Sequence, residues 1–155
     1  LYRSSDLARI PFDNYLRQLI ENLERQMGDP AVTLEQELAP VTLGLETAIP
    51  CGLIVNELMV NVFKHAFPAG RGGVAKIVLE RDPDATIRIV VADNGVGLPA
   101  DFAPDRVVSL GWRLIVGLVN QIDGKIAVSP CNPTRIELRF VDDNREAGRY
   151  QDALQ

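Results

Sequence analysis

Apolar residues recur every three or four positions in three segments of the chain, which is the spacing of a helix that buries one face. The first segment follows Pro11 and stops at Gly28-Asp-Pro30, a combination that ends helices. The second is apolar over most of its surface, as is typical of a helix inside a core. The pattern predicts helices over residues 12–27, 49–67 and 111–122.

Alternating apolar and other residues mark five further segments as strands with one buried face. The turn-forming runs Asp82-Pro-Asp-Ala85 and Pro130-Cys-Asn-Pro133 separate two pairs of them and predict hairpins. Sequential hairpins with helices between them favour an α+β fold, a two-layer α/β sandwich in which a mixed, mostly antiparallel sheet packs against helices. The predicted strands are 32–38, 75–80, 86–92, 125–129 and 134–141, with a short extended piece at 41–45.

Composition narrows the class of protein. The 155 residues, 46% of them hydrophobic, suffice for one domain with its own core. A net charge of −5 argues against a nucleic-acid partner. The longest apolar runs are shorter than a membrane-spanning segment, although an anchor could lie in a longer protein of which this chain is a piece. The isolated Cys51 and Cys131 predict two small buried residues without disulfide or metal, in a reducing cytoplasm.

The apolar segment 49–67 carries one polar stripe. Glu57, Asn61 and Lys64 recur at helical spacing, with His65 beside them. In a buried helix such groups need partners. One interpretation is that they satisfy each other inside the core. The other is a polar ligand, since an acid, an amide and a base suit a metal-bound phosphate.

The segment 89–99 is a buried strand that runs into an acid and two glycines, Asp93, Gly95 and Gly97. A carboxylate there could accept a hydrogen bond from the amino group of adenine, whereas it would repel the carbonyl of guanine. Glycines allow the backbone to approach a flat ligand closely. A plain hairpin turn is the alternative, and no third glycine completes a dinucleotide-binding fingerprint.

Gly111 opens the third predicted helix, where free backbone N–H groups favour phosphate. Arg113 in its first turn could add charge, although a solvated surface arginine is the simpler interpretation. The preceding loop, 100–108, has the length and composition of a lid and carries Arg106 as a candidate phosphate contact. Thr134 begins the last strand and would offer a hydroxyl near the Asp93 end.

Taken together, these segments resemble the sequence boxes of the GHKL (Bergerat-fold) ATPases, in particular the catalytic domains of sensor histidine kinases of the HisKA_2 type. Glu57-Leu-Met-Val-Asn-Val-Phe-Lys-His-Ala-Phe67 is similar to their N box, E-L-x-x-N-x-x-K-H-A-F. Asp93-Asn-Gly-Val-Gly-Leu-Pro99 and Ser109-Leu-Gly-Trp-Arg-Leu114 are similar to the two glycine boxes that follow. The lid is short and lacks the fuller glycine-rich second box of other kinases. Trp112 stands where this subfamily usually has an aliphatic residue, either packed on the lid or as a tolerated core change.

The resemblance implies ATP and Mg²⁺ as cofactors and a role for each box. Asn61 would ligate the metal, and Glu57 would act as the catalytic residue that orients groups around it. Asp93 would accept the adenine amino group with help from Thr134. The remaining residues would contact the phosphates or frame the lid: Lys64, His65, Gly95, Gly97, Leu110 and Gly111.

The resemblance also implies an activity and partners. The domain would transfer the γ-phosphoryl group of ATP to a histidine on an upstream dimerisation domain that this chain lacks, and a response regulator would receive it next. The implied arrangement is a dimerisation-helix end and linker at 1–10, the catalytic domain at 11–141 and a polar tail at 142–155. The full protein would be a homodimer with this domain in the cytoplasm, with or without a membrane anchor. Alternatives are a serine kinase of the anti-sigma-factor type, a GHKL ATPase that hydrolyses ATP, and a non-catalytic nucleotide-binding module.

Overall fold

The computed structural model describes residues 8–142, so the expectations for residues 1–7 and for the tail beyond 142 lie outside the described part. The helices are α1 (Phe12–Met27), α2 (Leu45–Asn61) and α3 (Leu110–Gln121). The strands are β1 (Arg9–Pro11), β2 (Val32–Leu38), β3 (Thr42–Gly44), β4 (Gly73–Arg81), β5 (Thr86–Asp93), β6 (Lys125–Ser129) and β7 (Thr134–Val141).

Five strands form one sheet in the order β2-β4-β5-β7-β6, and the helices cover one face of it. The pairs β4–β5, β5–β7 and β6–β7 are antiparallel, whereas β2 pairs with β4 in parallel. β1 and β3 form a separate antiparallel pair. The predicted two-layer α+β sandwich with a mixed, mostly antiparallel sheet is therefore confirmed.

Alternation along the strands divides the sheet into a buried and an outer face. Every second residue of β4, β5 and β7 points into the core, while the residues that alternate with them on the outer face are a mixture of charged and uncharged ones. The helix α1 adds one apolar stripe to that core through Phe12, Leu16, Ile20 and Leu23, each worth about 1.5–3 kcal/mol on burial. The inward residues of the three strands are Ala75, Ile77, Leu79, Ile87, Ile89, Val91, Ile136, Leu138 and Phe140.

The helix α2 begins at Leu45, four residues before the predicted start at Ile49, and Pro50 lies inside it. A π-helical turn, Val62–Ala66, continues it. The combined helix of 22 residues is long and apolar enough to cross a membrane, so the expectation that every apolar run is too short was wrong. Its position explains its composition, because Cys51, Ile54 and other side chains along it are buried in the core.

The two cysteines differ in environment. Cys51 is buried in α2, and burial raises the pKa of its thiol far above the usual range. Cys131 is exposed in the turn between β6 and β7, which contradicts the prediction that both are buried. Cys131 is exposed because the turn that connects the two strands of a hairpin lies at the protein surface.

Candidate functional site

Two polar residues lie at one end of the buried sheet face. Asp93 closes β5 and Thr134 opens β7, and the two are directly paired in the antiparallel register. Each has the same parity as the inward apolar residues of its strand, so both side chains point to the helical layer. Asp93 is 7% exposed and Thr134 is 6% exposed. Alternation thus delivers a buried acid and a buried hydroxyl to one place, which we call the strand end.

Among the residues that the structure describes, the Asp93 carboxylate has one hydrogen-bond partner. Its Oδ1 accepts the backbone N–H of Gly95 at 2.9 Å. Burial raises the pKa of Asp93, and the Gly95 hydrogen bond opposes that shift only in part. The Thr134 hydroxyl donates to the carbonyl of Pro130 at 3.0 Å, which leaves its oxygen able to accept. The buried Asp93 carboxylate can therefore accept further hydrogen bonds, for example from a ligand.

Gly95 and Gly97 hold the loop after β5 in place. The Val96 N–H donates to the Ala66 carbonyl at 2.9 Å, and a Cβ built at Gly95 would lie 2.2 Å from that same oxygen. Gly97 has φ +84°, a conformation that favours glycine, and packs against Cys131. The glycines that were expected to allow close approach to a ligand thus also allow close approach of the loop to the end of the α2 helix.

The polar stripe of α2 and its π-helical turn form a second side of the site, which we call the helix wall. Glu57 and Asn61 are half-buried one turn apart. Lys64 and His65 lie on the π-helical turn and are exposed. The expectation of a buried ammonium was therefore wrong for Lys64, because the stripe runs from the core out to solvent.

The start of α3 meets the helix wall. The Ser109 side chain caps the helix by accepting the Trp112 N–H at 3.4 Å. A Cβ at Gly111 would lie 3.3 Å from Oε2 of Glu57, so the lack of a side chain there lets the helix start approach the carboxylate. Leu110 is 83% exposed and points away. Arg106 and Arg113 are also exposed.

A cavity of about 430 Å³ lies between the strand end, the helix wall and the start of α3, a size typical of small-molecule sites. It brings together the residues to which the resemblance assigned a role, except Gly95 and Leu110, and the further candidates Arg106 and Arg113 do not line it. Sequence reasoning missed its apolar lining, which includes Leu98 and Ile136. The sequence could have predicted Ile136, because this residue lies two positions after Thr134 in the same strand and therefore on the same face. The predicted residues in the lining are Glu57, Asn61, Lys64, His65, Asp93, Gly97, Gly111 and Thr134.

The few oxygen donors of this cavity suit Mg²⁺ that is held partly by phosphate and water, rather than a metal ion held by protein side chains alone. Among residues 8–142, no group of three His, Cys, Asp or Glu side chains could hold an ion. The helix wall instead offers one carboxylate, Glu57, and one amide oxygen, Asn61. Mg²⁺ in phosphate-binding sites takes one or two protein oxygens and completes its shell with water and phosphate.

Comparison with known proteins gives relatives of one kind. The blue-light-activated histidine kinase 2 of Erythrobacter litoralis is 27% identical over 137 residues, 83% of this chain and 40% of that protein. The sensor histidine kinase PdtaS of Mycobacterium tuberculosis is 35% identical over 78 residues, 49% of this chain and 15% of that protein. The chain thus spans less than half the length of these curated relatives.

Solved structures share the fold. The histidine kinase domain of the Erythrobacter litoralis EL346 blue-light activated histidine kinase superposes with a TM-score of 0.85 at 24% identity, covering 95% of this chain and 68% of that one. The catalytic domain of histidine kinase ThkA gives a TM-score of 0.71 at 16% identity, with coverage of 87% and 95%. A family model for the histidine kinase-like ATPase domain matches residues 20–139. The chain therefore belongs to the histidine kinase-like ATPase domain family, and its relatives are sensor histidine kinases.

Proposed function

We propose that the chain binds Mg·ATP in this cavity, with adenine at the strand end and the phosphates along the helix wall. The observation that supports this most is the pairing of Asp93 with Thr134 at the closed end of the buried face, opposite Glu57 and Asn61. One end offers a buried acceptor among apolar side chains, and the other offers the oxygens of Glu57 and Asn61 and the exposed side chains of Lys64 and His65. This polarity matches a nucleotide, which has a flat base at one end and a charged tail at the other.

At the strand end, Asp93 selects the base. Its carboxylate accepts a hydrogen bond from the exocyclic amino group of adenine, while the Gly95 N–H fixes its orientation. A guanine carbonyl in the same place would face the carboxylate acceptor to acceptor and be rejected. Thr134 adds a hydroxyl that reaches the base directly or through a water molecule.

At the helix wall, Asn61 ligates Mg²⁺ and Glu57 orients the groups around it. When bound, Mg²⁺ neutralises charge on the phosphate oxygens. Lys64 and His65 lie at the solvent side of the wall, where they hold the phosphate tail. The N–H groups at the start of α3, opened by Gly111, add a partial positive charge.

In the whole protein, the γ-phosphoryl group passes to a histidine on a dimerisation domain outside this chain and then to a response regulator. Residues 1–10 form the junction to that domain, 11–141 the catalytic domain and 142–155 a polar tail. His65, the single histidine of the chain, belongs to the nucleotide site and is not the acceptor. The whole protein is a homodimer whose catalytic domain lies in the cytoplasm.

Incubation of the chain with γ-labelled ATP, Mg²⁺ and a separately supplied dimerisation domain tests this proposal. Acid-labile label on the added domain, lost with Glu57→Gln, supports histidine phosphorylation. Acid-stable label on a serine would support the anti-sigma-factor type of kinase instead. Free phosphate without protein label would support an ATPase that uses Glu57 as the base on water. Binding without any turnover would leave a nucleotide-binding module and contradict the proposed activity.

A further inference from the structure

Trp112 lies between the cavity and the loop that precedes α3. Its side chain is 6% exposed and lines the cavity. The ring of Phe102, in the middle of that loop, meets it edge to face with centroids 4.8 Å apart at 63°. Phe102 does not itself line the cavity. Trp112 therefore touches the ligand space and the loop at the same time.

The backbone of this loop is held to the rest of the molecule mainly near its ends. Leu98 donates to the Pro130 carbonyl at 2.7 Å, and Ser109 caps α3. Between them, the backbone N–H groups of Phe102 and Arg106 bond to carbonyls of the same loop. Val108 is 85% exposed. The middle of the loop thus depends on apolar contacts, to which Phe102 contributes the largest side chain.

We infer that Trp112 is a positioning residue that keeps the loop 99–108 folded against the cavity. Through the same side chain, a ligand in the cavity makes the loop more stable. An indole is large enough to present one part of its surface to a ligand and another to Phe102. An aliphatic side chain would lose the edge-to-face contact. The part of this inference that concerns ligand occupancy rests on the proposed nucleotide binding, whereas the anchoring part does not.

The anchoring part is tested without nucleotide, by amide hydrogen exchange of residues 99–108. An aromatic pair contributes an energy that corresponds to about two- to tenfold in an opening equilibrium, so Trp112→Leu and Phe102→Leu should each speed exchange by that factor. The double variant should add little to either, and Trp112→Phe should restore most of the protection. Val108→Ser is the control and should leave exchange unchanged.

Exchange that is equally slow in Phe102→Leu and the unaltered chain would overturn the anchoring role. Faster hydrogen exchange in the sheet as well would show that a variant has lost overall stability, rather than only the attachment of the loop. The denaturant midpoint identifies such a variant, and Phe102→Leu then decides the question because Phe102 is only partly buried.

The coupling part is tested by fluorescence, since Trp112 is the single tryptophan of the chain. Mg·ATP should change the emission of Trp112 and slow exchange in the loop, and Phe102→Leu should remove the slowing while calorimetry still detects binding. Calorimetric binding with no change in either signal would overturn the coupling. An absence of calorimetric binding would contradict the proposed function, and the exchange results without nucleotide would still decide the anchoring role.

Discussion

The strand end and the helix wall face each other across one cavity but are built in different ways. Asp93 and Thr134 are fixed by neighbouring strands in a five-stranded sheet and are almost fully buried. Lys64 and His65 belong to a π-helical turn and are exposed. A buried acceptor held by the sheet suits discrimination between bases, because a base that leaves the Asp93 carboxylate without a hydrogen-bond donor would bind less tightly. A wall that reaches solvent suits the charged phosphate end of the proposed ligand.

The largest effect is expected at the helix wall. Asn61→Ala should abolish the Mg²⁺ dependence of ATP binding, because it removes the amide oxygen assigned to the metal, and adenosine affinity should stay unchanged. Calorimetry with and without Mg²⁺ measures both. Asn56→Ala, which alters the same helix outside the cavity, is the matched control. ATP titrations of Asn61→Ala that still respond to Mg²⁺ as before would remove Asn61 from the metal site.

The next effect is expected at the strand end. Asp93→Asn should weaken ATP, ADP and adenosine by the same factor, about 2 kcal/mol or roughly thirtyfold, through loss of a charge-assisted hydrogen bond. Asp101→Asn, on the exposed part of the loop, controls for the change of charge. A loss confined to ATP would mean that Asp93 acts on the phosphates, and the distinction between the two ends would be wrong.

A third variant tests the contact between the loop after the strand end and the π-helical turn of the helix wall. Gly95→Ala places a methyl group against the Ala66 carbonyl and should destabilise the fold by about 1–3 kcal/mol in urea unfolding. Gly117→Ala is the matched control, since a Cβ there meets nothing within 4 Å, and it should stabilise α3 by about 1 kcal/mol. Equal effects of the two changes would show that the contact between loop and helix is not tight.

The smallest effect concerns pH. Because burial raises the pKa of Asp93 in the folded state, the ionised carboxylate costs stability at neutral pH. Protonation removes this cost as the pH falls through the raised pKa, and below the ordinary Asp pKa of about 3.9 the folded and unfolded forms are both protonated. Asp93→Asn without ligand should therefore be the more stable protein at neutral pH, by a margin that shrinks on mild acidification. Urea unfolding across that range would contradict the raised pKa if the margin grew.

Sequence patterns predicted the parts that depend on local periodicity. The strands β2, β6 and β7 and the helix α1 have the predicted bounds, and the inward parity of Asp93 and Thr134 follows from alternation. Long-range packing was not predictable in the same way. The parallel pairing of β2 with β4, the contact of Gly95 with Ala66 and the ring contact of Trp112 each join residues whose proximity no local pattern encodes. The predicted start of α2 at Ile49 was four residues late, because the helix begins at Leu45 and continues through Pro50, a residue that interrupts most helix interiors.

We propose that the buried Asp93 carboxylate selects the base while the helix wall holds the phosphates. Parallel calorimetric titrations of the chain with ATP and GTP in the presence of Mg²⁺ test it most directly. We expect ATP to bind and GTP to bind at least about tenfold more weakly, with Asp93→Asn reducing the difference. Equal affinity for the two nucleotides, or a preference for GTP, would contradict the claim.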